Sequence, residues 1–210
     1  MTETLTKPHE SKTDFLSKHR IEALADGLFA IVMTLLVLDL RVPDLAHNAT
    51  AGELAQAIIS QWRLFFSFTV TFILAAVYWL LHQRTLRLFQ RLNKADAFLG
   101  LAPLLFVSLL PYSTATVGRY MGNATATALY FGNQFAIAFF IAWLWFRTRS
   151  RAMEPDEARE HKLVGIRVVA LTVASLLAAI TALFYTEYAW SAFLIAVLAS
   201  RGYQKRTAKI

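Results

Sequence analysis

Six apolar runs, each close to the length that crosses a bilayer, constrain this chain more than anything else in it. A hydrocarbon core takes about 20 mostly apolar residues per helix. Runs of that kind lie near residues 19–42, 60–82, 97–116, 126–146, 163–186 and 188–203, the sixth being the shortest. In lipid a spanning segment must satisfy its own backbone polar groups, so the expected fold is all-α. The chain reads as a polytopic membrane protein with six transmembrane helices per subunit. With 57% of 210 residues hydrophobic and 17% charged, there is no room for a separate soluble domain.

The net charge of +7 raises the question of nucleic acid, and its distribution answers it. Lys7, Lys12, Lys18 and Arg20 precede or open the first span, whereas the first loop has only Arg41. The second loop carries Arg84, Arg87, Arg91 and Lys94, and the third only Arg119. The fourth carries Arg147, Arg149, Arg151, Arg159 and Lys162, the fifth carries none, and the tail has Arg201, Lys205, Arg206 and Lys209. Rich and poor segments alternate as the positive-inside rule requires for six spans with both termini cytosolic. The basic charge is topology, so no nucleic acid and no soluble partner are implied, and the lipid bilayer is the partner. The expected location is the cell (inner) membrane, multi-pass. The organisation predicted is a polar cytosolic N-terminal segment over 1–18, a six-helix transmembrane domain over 19–203 and a basic cytosolic tail over 204–210.

The first apolar run is too long for a signal-peptide core and no small-residue cleavage site follows it. The chain has no cysteine, which removes disulfides and thiolate chemistry. Pro43 and Asp44 stop the first span, and residues 44–58 read as a loosely amphipathic outer helix. Arg84, Arg87, Arg91 and Lys94 share one face of a helix leaving the second span, where lipid head groups are the expected partners. Pro103 and Pro111 permit a kink or an early end in the third. Enzyme signatures are absent: no HExxH, no GxSxG, no phosphate-binding glycine loop, and five histidines without metal-ligand spacing. The chain reads as no enzyme and as needing no cofactor. The potassium-filter sequence TVGYG is absent too.

What remains is the first span, "RIEALADGLFAIVMTLLVLDL", which opens with Glu22 and Asp26. An ionisable group inside a membrane is a functional hypothesis by default, although the dipole at a helix start also favours acids. At about 100° per residue, Glu22 and Asp26 share a stripe with Phe29, Met33 and Leu40. The opposite stripe carries Arg20, Leu24, Gly27, Ile31, Thr34, Leu35 and Leu38. Trp79 and His82 on the second span, and Asn93 before the third, lie at depths where they could hold the acids in a polar clasp. The stripe of Ile31, Leu35 and Leu38 is either ordinary lipid-facing or core surface, or one wall of a hydrophobic constriction. Rings of branched apolar side chains close pores by dewetting. One helix cannot make a ring; a symmetric oligomer can.

This span resembles the first helix of the transmembrane protein 175 family, the endolysosomal potassium channels and their bacterial relatives. The family pattern there is R-x-x-x-F-S-D, then G-x-F-A-I and an aliphatic run with threonine. Arg20, Asp26, Gly27, Phe29, Ala30, Ile31 and Thr34 stand at matching places. The similarity continues through "YWLLHQRTLRLFQRLNKADAFLGLAPLLFVSLLPYSTATVG", including Trp79, His82, Asn93 and the Pro111-Tyr112-Ser113 end. Leu24 and Ala25 depart from it, replacing the family's phenylalanine and serine, so the clasp here lacks the serine hydroxyl.

The resemblance implies a passive potassium-permeable cation channel. Single-unit relatives form homotetramers in which the first helices line the pore. Ile31 would then form the narrowest ring, with Leu35 and Leu38 continuing the hydrophobic constriction. Thr34 would offer an oxygen to a partly dehydrated permeant K+, the only metal contact implied and a transient one. Arg20, Asp26, Trp79, His82 and Asn93 would clasp the pore helix to its neighbours. The alternative from another class is a proton-coupled secondary transporter with Asp26 or Glu22 as the proton carrier. Against it stand the absence of an inverted repeat and of a Gly/Pro-broken first span.

Overall fold

The computed structural model describes residues 18–89, 92–148 and 155–207, and side chains throughout these except 155–157 and 199–207. Residues 1–17, Arg91, Arg149, Arg151 and Lys209 lie outside the described residues, as do the side chains of Arg201, Lys205 and Arg206 in the expected tail.

Every described element is a helix. In chain order they are α1 (Lys18–Leu35), α2 (Ala51–Ser60), α3 (Trp62–Arg87), α4 (Lys94–Ser108), α5 (Leu110–Arg119), α6 (Ala124–Arg147), α7 (Pro155–Phe184) and α8 (Thr186–Thr207). A 3-10 turn, Leu36–Asp39, extends α1. Five stretches are long and apolar enough to cross a membrane: Lys18–Asp39, Trp62–Arg87, Lys94–Arg119, Ala124–Arg147 and Ala158–Phe184. In the sixth the apolar part is shorter, Thr186–Leu198.

Local chemistry explains the boundaries. Thr50 and Glu53 cap α2 reciprocally, the Glu53 carboxylate accepting from the Thr50 amide at 2.7 Å and the Thr50 hydroxyl from the Glu53 amide at 3.3 Å. Asn93 caps α4 by accepting from the Asp96 amide at 2.8 Å. Asn123 does the same for α6 from the Ala126 amide at 3.1 Å. Just before it, Gly122 turns the chain at φ 94°, in the left-handed region that suits glycine.

The third span differs from a single straight helix over 97–116. Pro111 has no N–H and its ring crowds the carbonyl one turn earlier, so the helix breaks at Leu109 and restarts as α5. Pro103 sits inside α4 without interrupting it. The helix expected to leave the second span with Arg84, Arg87, Arg91 and Lys94 on one face stops sooner. α3 ends at Arg87, where Arg84 and Arg87 suit the negative end of its dipole, and Lys94 instead opens α4 behind the Asn93 cap.

Packing is densest between α6 and α7 and between α7 and α8. Ala174, Ala178 and Ala182 form a buried ridge of small side chains on α7, and Ala189 and Phe193 of α8 belong to the same core. On the other flank, Gly165 lies so close to the Trp145 ring that any β-carbon there would overlap it. Near the ends of their helices, buried Asp96 of α4 pairs with Arg147 of α6 at 3.0 Å. Among the described residues, the α1 helix packs only on α3, α4 and α5, its own 3-10 extension apart.

Candidate functional site

The packing of α1 divides it into two faces. Ile21, Ala25, Phe29, Val32 and Leu36 are buried, at spacings of four, four, three and four. The other face points out of the subunit, with Leu24 and Ile31 each 57% exposed, Leu35 41% and Leu38 67%. Arg20, Gly27 and Thr34 are exposed along with them. A β-carbon added at Gly27 would meet nothing within 4 Å, so no contact inside the subunit requires glycine there. The Thr34 hydroxyl donates its proton to the Ile31 carbonyl at 2.7 Å. That leaves the oxygen's lone pairs as the chemistry Thr34 presents outward, an acceptor suited to a cation. Among the described residues no group of three or more His, Asp or Glu side chains is placed to hold a metal ion.

Of the residues expected to clasp α1, the structure joins two directly. Trp79 Nε1 donates to the Asp26 carboxylate at 2.7 Å. A second donor to the same oxygen is the Gln83 amide nitrogen, which the sequence reading missed. The signal was there: residues 79 and 83 are one turn apart and share a helix face more closely than 79 and 82. His82 is buried on a neighbouring face of α3, where its Nε2 donates to the Gly100 carbonyl of α4 at 2.8 Å. Its ring also lies 6.3 Å from that of Phe29. Asn93 is occupied in capping α4, the ordinary use of an asparagine just before a helix. His82 therefore meets α1 only through the Phe29 ring, its hydrogen bond going to α4, and Asn93 acts one step away, on the helix pair α1 packs against. Arg20 stands exposed at the start of α1.

Glu22 takes a different part from Asp26. It lies 3.9 Å from Lys18, one turn before it. The Lys18 ammonium in turn donates to the Phe89 carbonyl at 2.9 Å and the Arg87 carbonyl at 3.3 Å, at the end of α3. Ala25 is fully buried where relatives carry the serine, and the Nδ1 of the equally buried His82 has no hydrogen-bond partner. At the opposite end of α1, Asp39 pairs with Arg119 of α5 at 3.2 Å. Beside that pair is an open cleft of about 560 Å³, lined by Leu35, Leu38, Pro111, Tyr112 and Thr116 among others.

Residues 20–111 match the sequence profile of the family described as endosomal/lysosomal potassium channel TMEM175. A potassium channel of Streptomyces collinus is 32% identical over 131 residues, 60% of this chain and 62% of that one. A potassium channel of Chamaesiphon minutus is 33% identical over 141 residues, 66% of each. The matches thus span slightly less than two thirds of either relative's length. The crystal structure described as a lysosomal potassium-selective channel TMEM175 homolog from Chamaesiphon minutus superposes with a TM-score of 0.72. That superposition covers 90% of this chain and 97% of the other at 25% identity.

Proposed function

The chain belongs to the TMEM175 family, and on that premise we propose that it forms a passive, potassium-permeable cation channel in the cell membrane. Its subunits assemble as a homotetramer with both termini cytosolic, and four copies of α1 surround the axis. Ile31 forms the narrowest ring, and Leu35 and Leu38 extend the constriction toward the outer end. Thr34 contributes its acceptor oxygen to a partly dehydrated K+. The six-helix domain over 19–203 does all of this, flanked by the polar N-terminal segment and the basic tail. Asp26, held by Trp79, fixes the rotation of α1, while His82 and Asn93 order the α3–α4 pair behind it and Arg20 marks the cytosolic mouth.

The single observation that carries the reading is the outward face of α1. Ile31, Thr34, Leu35 and Leu38 are exposed in the subunit while the complementary face is closed. An apolar stripe with one hydroxyl is what a dewetting constriction needs from each of several copies. No carboxylate intrudes between Ile31 and Leu38.

Voltage-driven K+ and Na+ flux from purified protein in liposomes tests it, with Ile31→Asn beside the parent. A polar ring admits water where an aliphatic one excludes it, so the substitution raises K+ flux several-fold or lowers the preference for K+ over Na+. Unaltered currents in a verified tetramer would remove Ile31 from this role. Flux that saturates and needs a proton gradient would favour a proton-coupled transporter instead.

A further inference from the structure

Three helices bring polar side chains together near the middle of the subunit, away from the outward face of α1. Thr71 of α3 is the meeting point. Its hydroxyl donates to the Ser67 carbonyl at 2.7 Å, and the Thr114 hydroxyl of α5 donates to it at 3.0 Å. The Tyr130 hydroxyl of α6 lies 3.0 Å from the same oxygen. Thr71 has one proton and it is committed to Ser67, so Tyr130 is the donor in that contact.

One turn further along α6 lies Gln134, close to the centre of a 24-residue helix and fully buried. Its amide oxygen has no partner, and its amide nitrogen has only the Tyr130 hydroxyl oxygen to turn to. Thr127, one turn before Tyr130 on the same helix, is equally buried and its hydroxyl is unpartnered. Asn133 donates to the Ser113 hydroxyl at 3.2 Å, but its own carbonyl oxygen is unpartnered.

A primary amide presents two protons and two lone-pair directions, and buried polar groups in native proteins find partners. The Tyr130 oxygen can accept from one Gln134 amide proton, but no hydroxyl nearby has a proton left for the amide oxygen. Tyr78 donates to the Gln134 backbone carbonyl at 3.3 Å, and the Tyr130 proton goes to Thr71. The missing partner must both donate and accept, which a water molecule does with two to four bonds. A bare cation cannot serve the amide N–H groups. No carboxylate takes part in the hydrogen bonds described here, so its charge would be buried without compensation.

We propose that each subunit binds a small cluster of ordered water between α3, α5 and α6, held by the Gln134 amide, the Thr127 hydroxyl and the Asn133 carbonyl oxygen. This water is structural. It completes the polar junction at Thr71 and stands apart from any ion path along α1, so the inference does not depend on conduction.

Radiolytic hydroxyl labelling of the full-length protein in detergent tests it, because radicals born from bound water mark adjacent buried side chains. Tyr130 becomes labelled despite its complete burial, whereas buried Phe29 stays unlabelled. Gln134→Leu and Thr127→Val each lower Tyr130 labelling several-fold and leave exposed Tyr120 unchanged, with elution volume and helicity as the folding control. The conservative Thr127→Val decides alone if Gln134→Leu fails to fold. An unlabelled Tyr130 in the parent, or labelling undiminished in the folded variants, would overturn the proposal. Labelling that changes when choline replaces K+ and Na+ would assign the site to a cation and overturn it as well.

Discussion

The α1 and α6 helices are of similar span, Lys18–Asp39 and Ala124–Arg147, and they are used in opposite ways. α1 is the more apolar of the two and yet the less buried. α6 carries Thr127, Tyr130, Asn133 and Gln134 and turns all four inward. In water that ordering would be perverse, because apolar surface drives burial. In a bilayer the surroundings are as apolar as any core, so polar side chains mark the interior and apolar ones are free to face out. The two helices therefore teach one rule: the buried polar groups locate the inside of this subunit, and α1 is left to present its face elsewhere.

The largest effect that sharpens this contrast lies within α1 itself. Phe29→Ala should destabilise the subunit by about 3–5 kcal/mol, because a large side chain that is 1% exposed leaves a cavity. Ile31→Ala, two residues away on the outward face, should change stability by about 0.5 kcal/mol or less. Denaturant unfolding in detergent compares them, and equal losses would break the division into two faces. Next in size, Gly165→Val drives a branched side chain into Trp145 and should cost about 1–3 kcal/mol through overpacking, read as a lowered thermal midpoint. Trp79→Phe removes one of two donors to Asp26. Because Asp26 is exposed, the loss should be about 1 kcal/mol or below in the same assay.

The smallest effect is at α2, which buries none of its residues. Bonds from the Thr50 amide and hydroxyl hold the Glu53 carboxyl below its usual range. A lowered folded value means the capping contribution is present above the unfolded pKa and is lost as pH falls through the folded one. Amide exchange in the first turn of α2 should therefore quicken at acid pH relative to the intrinsic rate, while α6 amides stay protected. Protection of α2 that is indifferent to this titration would remove Glu53 as its cap.

The helical runs were legible because a bilayer imposes a length and a composition that few other environments do. The break at Leu109 was legible in kind from Pro111, and the exposed stripe of α1 from a 3.6-residue period. Azimuth between helices was not. Trp79 and His82 sit at similar depth, but only Trp79 turns to Asp26, and no pattern within one helix says which way its neighbour faces. Gln83 escaped notice for that reason. Asn133 and Gln134 escaped because two adjacent amides in an aromatic run do not alter the length signal. The spacing of seven from Thr127 to Gln134, with Tyr130 between, was the available clue.

The central claim is that the outward face of α1 lines the ion path, and the absence of cysteine from the chain makes it directly testable. Single cysteines placed from Leu24 to Leu38 in liposome-reconstituted protein would be exposed to a charged thiol reagent while K+ flux is recorded. The account predicts block at positions 27, 31, 34, 35 and 38 and none at 29, 32 and 36. Block on the opposite face, or at no position along the helix, would contradict it.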